Sequence, residues 1–249
     1  MTPSFLTALL TPGRPAAVSP AAWLRAFRPA PLSVSRGERV RVVCGAAVGI
    51  FVTGWLCHLL GAHSALPWLI APMGASAVLV FGVPASPMAQ PWAVVAGNTV
   101  SALAGIACAH LGVSPELAAT LAVALAVALM FALRCLHPPG GASALLVALA
   151  GIQDPLFALF PVASNSLLMV LAGIAYNNLS RRSYPHMQLP PQPPAERPND
   201  ARSIAADLDA VLARYNQVLD VSRDDLQALI EQTQLQGYRR RLSDIRCGD

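Results

Sequence analysis

The chain has 249 residues, 55% of them hydrophobic and 12% charged, with a net charge of +4 and a mean hydropathy of +0.51. Soluble domains carry roughly 25% charged residues, so an ordinary water-solvated surface is excluded and a membrane protein is indicated. Between Val42 and Ser180 the charged side chains are Glu116, Arg134 and Asp154 alone, too few to cover a soluble domain of that length.

All 17 cationic residues are arginines. That usage fits a GC-rich bacterial genome, and the expected location is a bacterial inner membrane. The arginines flank the apolar region, where positive-inside orientation accounts for them and nucleic-acid binding is not needed. The start, MTPSFLTALLTPGRP, has no charged leader region, so no cleaved signal is expected. Five cysteines form no CxxC pair and no Cys/His set at zinc spacing. No metal site and no cofactor are expected.

In chain order, residues 1–39 read as a Pro- and Arg-rich cytoplasmic arm, with a short interfacial helix around 21–27 as the ordered alternative. Apolar segments follow at 40–60, 66–81, 91–111, 117–136, 140–152 and 156–179 within a transmembrane domain spanning 40–180. A crossing takes about 20 apolar residues. Four segments meet or approach that length, and the second and fifth are shorter and carry Pro and Gly, as broken helices do. Arginines at 36, 39 and 41 and at 181 and 182 place both ends of the domain in the cytoplasm, so the number of crossings is even. Beyond it lie a Pro-rich linker (181–200) and two amphipathic cytoplasmic helices within 201–249. The first carries Ile204, Leu208, Val211, Leu212, Tyr215 and Val218 on one face. The second opens with a capping box from Ser222 to Asp225 and carries Leu226, Leu229, Ile230 and Leu235.

The sequence matches itself at an offset of 67 residues: PMGASAVLV (72–80) lies over PGGASALLV (139–147). With one residue inserted, Asn98 falls over Asn165 and Gly105 over Gly173. The fold class read from this is an all-α polytopic membrane protein with a duplicated three-helix unit, 40–111 and 117–179, each copy holding a short broken helix. Three crossings per copy make the copies inverted and give six membrane segments. Four full spans plus two re-entrant segments are the alternative.

A backbone break in hydrocarbon survives only where protein or water satisfies the freed groups. A helix that begins there directs free N–H groups and about half a positive charge at the gap, which favours an anion. The expected substrate-binding set is therefore Gly74, Ser76, Gly140, Gly141 and Ser143 at the two breaks. His137 adds a switchable proton, Arg134 a fixed charge at the entrance, and Asn98 and Asn165 line the path. Plainer roles stand beside these. Ala75 and Ala142 are close-packing residues, and the serines stay open between packing and ligand contact. His137 can cap the preceding helix, Arg134 can snorkel to headgroups, and a buried Asn bonds across helices more often than it touches substrate. His58, His63 and His110 read as interfacial. No GxSxG, HExxH or Walker motif is present, and Cys135 and His137, two residues apart, do not face each other on a helix. The chain is therefore not expected to be an enzyme.

The stretch HPPGGASALL (137–146), with GASAVLVFGVPASPMAQPW (74–92), resembles the HPP family of integral membrane proteins, over about Arg36 to Asn178. Membership implies four transmembrane helices, against the six read from the repeat. Photosynthetic members are associated with nitrite transport, which implies permeation of a small nitrite-like anion here. The tail from Asp207 is similar to the connector that leads, in many bacterial members, into nucleotide-sensing CBS domains, and the expectation is a chain without them. The other expected partners are the lipid bilayer and further copies of the chain, a dimer being the simplest. Two competing readings are a non-transporting anchor for a cytoplasmic regulatory region and a channel for a neutral solute.

Overall fold

The computed structural model describes residues 34–61 and 67–186, Leu24, Phe27, and short helical pieces between 207 and 237. Among the described residues every regular element is helical: α1 (Arg36–Leu60), α2 (Pro72–Gly82), α3 (Pro91–Ala109), α4 (Pro115–Ala132), α5 (Pro138–Leu149) and α6 (Ala158–Leu179). The helices start where the sequence supplies start signals. Ser35 Oγ accepts from the Glu38 N–H at α1 (3.2 Å) and Ser114 Oγ from the Leu117 N–H at α4 (3.4 Å). Proline stands at the first position of α2, α3, α4 and α5, where its missing N–H costs nothing. Arg134 after α4, Gly151 after α5 and Arg181 after α6 take positive φ (54°, 62° and 61°). Each is followed by an N–H that reaches five residues back, as Cys135 does to the Met130 carbonyl (2.9 Å), which closes the helix end.

Two elements depart from regular α-helix. The last turn of α2, Val78–Gly82, is π-helical, and so is the first of α6, Ala158–Ala163, where Phe160 is extended (φ −132°, ψ 122°) ahead of Pro161. The prolines of HPP, which lie ahead of the apolar segment read as 140–152, are the first two residues of α5, with His137 as the residue before the helix. Proline fixes φ near the helical value, which makes the pair a helix start.

Contacts between helix ends settle the directions. Arg41, near the start of α1, donates to the Phe81 carbonyl at the end of α2 (2.8 Å), and Tyr176, near the end of α6, donates to the Arg41 carbonyl (2.8 Å). At the other end of the bundle, Asn165 near the start of α6 donates to the Trp68 carbonyl ahead of α2 (3.0 Å) and to Cys57 Sγ in α1 (2.9 Å). Thus α2 and α6 run antiparallel to α1. Trp92 at the start of α3 donates to the Leu133 carbonyl after α4 (3.1 Å), and Gln153 after α5 donates to the Ala109 carbonyl ending α3 (3.0 Å). Direction consequently alternates through all six helices.

Glycines set the closest crossings. A Cβ on Gly105 would lie 2.7 Å from the Ala144 carbonyl and 2.8 Å from Val147 Cβ, and one on Gly173 would collide with Val80. In α1, Gly45 and Gly49 leave room for the Phe81 ring. The buried core around Met73, Val80, Phe81, Val147, Val162 and Met169 is joined by an alanine-rich seam of Ala104, Ala122, Ala126 and Ala144. Phe51, Trp55, Phe131, Leu167 and Leu171 face outward. Four helices, α1, α3, α4 and α6, are long and apolar enough to cross a membrane. At 1.5 Å per residue, α2 and α5 extend about 16–18 Å, roughly half the hydrocarbon thickness.

Of the two helices expected after the linker, Leu208, Val211, Leu212, Leu226, Leu229 and Ile230 are described and helical. Ile204, Tyr215, Val218, the Ser222 capping box, Leu235 and His63 lie outside the described residues. In the arm, the Phe27 N–H bonds to the Leu24 carbonyl at 3.3 Å.

Candidate functional site: a buried polar chain between two short helices

Ser76 of α2, Asn98 of α3, His137 ahead of α5 and Ser143 of α5 meet in the interior, each fully buried. Their hydrogen bonds have one consistent direction. The Met88 carbonyl, 2.8 Å from His137 Nδ1, can only accept, so in the neutral ring Nδ1 carries the proton and Nε2 is an acceptor. Ser76 Oγ, 2.8 Å from Nε2, therefore donates to it. Asn98 Nδ2 donates to Ser76 Oγ (3.4 Å) and to the Val94 carbonyl (3.0 Å), and Ser143 Oγ donates to Asn98 Oδ1 (2.9 Å). One asparagine thus links the serines of both GAS motifs. The sequence had given His137 an auxiliary or capping part, whereas its ring bridges α2 and the loop after it.

The other expected site residues fall elsewhere. Asn165 is not in this cluster: it accepts from the Ile70 N–H (3.0 Å) and donates to Trp68 and Cys57, holding the strand of chain that enters α2. Gly140 is a packing residue, since a Cβ there would come 2.8 Å from the Gly97 carbonyl and from Ser101 Oγ. Gly74 and Gly141 face open space, Gly74 on the wall of an apolar cleft of about 740 Å³ between α1 and α2 that also includes Gly54, Trp68 and Ala77. Arg134 is exposed at the end of α4, outside the cluster.

The expectation of free N–H groups aimed at a gap is corrected. In α2 the Met73 and Gly74 N–H groups bond back to the carbonyls of Ile70 (3.1 Å) and Ala71 (3.0 Å). In α5, Pro138 and Pro139 have no N–H, and that of Gly140 bonds to the His137 carbonyl (2.8 Å). Each break closes on itself through a tight first turn. Both serine hydroxyls likewise spend their protons on protein acceptors.

A second polar cluster had no sequence signal beyond flanking charge. Glu38 in α1 is 5% exposed and pairs with Arg41 (2.7 Å) and with Arg182 beyond α6 (2.8 Å). Arg41 also donates to Asn177 Oδ1 (2.8 Å) and the Phe81 carbonyl, and Asn177 Nδ2 donates to the Val80 carbonyl (3.0 Å). Two carbonyls that the π-helical end of α2 leaves without helical partners are satisfied in this way. Nearby, Tyr184 packs on Gly173 and donates to the Ala89 carbonyl (2.8 Å). Burial pushes its phenol far above the ordinary tyrosine range, so it remains a donor.

The transmembrane region of the HPP family matches residues 31–185, more than half of the sequence and all six helices. The chain belongs to the HPP family. Two transmembrane proteins of Dictyostelium discoideum are similar to it, at 38% and 37% identity over 146 residues, covering 55% of this chain and 47% and 51% of theirs. The chain spans about half the length of these curated relatives. No solved structure matches it. Family and apolar helices together make this HPP domain a multi-pass membrane protein, so the polar chain around His137 lies within a membrane domain.

Proposed function

We propose that the chain is a membrane permeation module for a small inorganic anion, nitrite first among those to test, with its path along the contact of α2 and α5. The observation that carries this reading is the buried chain Ser143–Asn98–Ser76–His137 where the two short helices meet. Stability alone does not call for it. Hydrogen bonds between membrane helices contribute about 0.6 kcal/mol each, small residues suffice for close packing, and an ionisable side chain among apolar helices is costly to place. In this reading the arrangement is a closed one, since each donor of the four-residue chain is matched by a protein acceptor.

In this reading the six helices cross the membrane as two inverted copies, α1–α3 and α4–α6. Support comes from Gly105 receiving Val147 while its repeat counterpart Gly173 receives Val80, the counterpart of Val147. Each copy's third helix thus receives the other copy's short one. Orientation follows from charge. Arg36, Arg39, Arg41, Arg134, Arg181 and Arg182 belong to one end of the bundle and Glu116 and Asp154 to the other, so the arginine-bearing end, with both termini of the domain, faces the cytoplasm of a bacterial inner membrane.

The test is uptake of nitrite, nitrate, formate and chloride into proteoliposomes. Nitrite uptake above that of protein-free vesicles is expected. No uptake of any of the four would leave the domain as an anchor or scaffold.

A further inference from the structure

We infer that an anion enters this site together with a proton on His137, so that the module carries the two as an uncharged pair. The inference rests on the permeation reading and deepens it. In the neutral state the cluster holds no donor for an anion: Ser76 gives its proton to His137 Nε2, Ser143 gives its proton to Asn98, and His137 Nδ1–H is held by the Met88 carbonyl. Of the backbone N–H groups that begin α2 and α5, those of Met73, Gly74 and Gly140 bond back to the preceding turn and are not offered to an anion. An anion placed there would lose its hydration and gain nothing.

One proton on Nε2 changes this. Both ring nitrogens become donors. Ser76 Oγ then faces an N–H from His137 and one from Asn98, and its own hydrogen loses its acceptor, because Asn98 turns its Nδ2 donor rather than Oδ1 toward Ser76. The hydroxyl must turn toward another acceptor, and the imidazolium needs a counter-charge. The groups around the ring supply none: α2 offers Ser76, α3 offers Asn98, α4 offers Met130 Sδ (3.5 Å from the His137 N–H) and the loop offers the Met88 carbonyl. Cys135 lies two residues away and Arg134, exposed, three; among the described residues no carboxylate bonds to the ring. A small monovalent anion meets both demands, accepting from Ser76 O–H and pairing with the ring. Water on the entry side supplies the proton to Nε2, and on the exit side Nε2 releases it as the anion leaves. The net transfer is one proton and one anion, with no net charge moved.

The experiment uses the full chain in liposomes holding a pH-sensitive dye, with membrane potential clamped by potassium and valinomycin, and follows nitrite and formate uptake above protein-free vesicles. The expected result is one proton entering per anion, a rate independent of the clamped voltage, and a rate that rises as the outer solution is acidified. His137→Gln is expected to lose the acid stimulation, with uptake at acid pH falling roughly tenfold, the size of one charge-assisted hydrogen bond. Ser76→Ala is expected to fall in the same way, and it decides with the wild-type stoichiometry if His137→Gln does not elute as a single folded species. Uptake that follows voltage without proton entry overturns the coupling and leaves permeation standing. No uptake of either anion by the wild type overturns the permeation reading itself.

Discussion

The two short helices share a sequence motif and are held by different physics. α5 closes itself: its prolines and the Gly140 N–H shape its start, and its end is tied off by the Ile152 N–H to the Val147 carbonyl (3.1 Å). α2, whose first turn also closes on itself, is in addition held from outside, by Asn165 of α6 at its entrance and by Arg41 and Asn177 at its exit. A self-closed helix keeps its shape when neighbours shift. One clamped by side chains from other helices moves with them, and α2 carries Ser76 into the polar chain. One motif thus stands in two settings, closed by its own backbone in α5 and held by side chains of neighbouring helices in α2.

The largest effect is expected where the two short helices share a feature, the glycine that each one packs against. Gly105→Leu and Gly173→Leu each drive a side chain into the short helix it receives, Ala144 and Val147 in one case and Val80 in the other. Each is expected to cost about 3 kcal/mol or more, read as loss of folded protein from detergent extracts. If one is tolerated while the other is not, the two crossings are not equivalent.

A smaller effect is expected from the exit clamp of α2. Glu38→Gln leaves the two guanidinium groups of Arg41 and Arg182 beside a neutral amide. Because both arginines keep some solvent contact, the loss is expected near 2 kcal/mol, below that of a fully buried pair, and is measured as a lower melting temperature in detergent. An unchanged melting temperature would mean that α2 does not depend on the clamp. The smallest effect is expected at Tyr184→Phe, which removes one hydrogen bond to the Ala89 carbonyl and preserves the packing on Gly173. About 1 kcal/mol is expected in the same measurement.

How much of this was legible in the sequence follows from the range of each interaction. The short helices were readable because Pro and Gly are local signals, and Ser76, Ser143 and Asn98 because the repeat aligned them. Asn165 was paired with Asn98 by the same alignment, yet the chain entering α2 lies beside one and Ser143 beside the other, a difference only the fold decides. The Glu38–Arg182 pair joins residues 144 apart, and its arginine already had a sufficient reading as a flanking charge. The ring state of His137 depends on a carbonyl 49 residues away, a pairing that only the fold brings about. The closed helix starts were misread because free N–H groups are the rule at a helix N-terminus, and a tight first turn consumes them.

The division between a working chain and a structural clamp is tested most directly by the two aligned asparagines. Asn98→Ala and Asn165→Ala are compared for nitrite uptake per folded protein and for melting temperature in the same preparation. Uptake is expected to fall roughly tenfold in Asn98→Ala with the melting temperature little changed, and in Asn165→Ala the melting temperature is expected to fall, by about 1–3 kcal/mol of stability, with uptake per folded protein retained. Full uptake in Asn98→Ala, or loss of uptake confined to Asn165→Ala, would contradict a path through the Ser76–Asn98–His137–Ser143 chain.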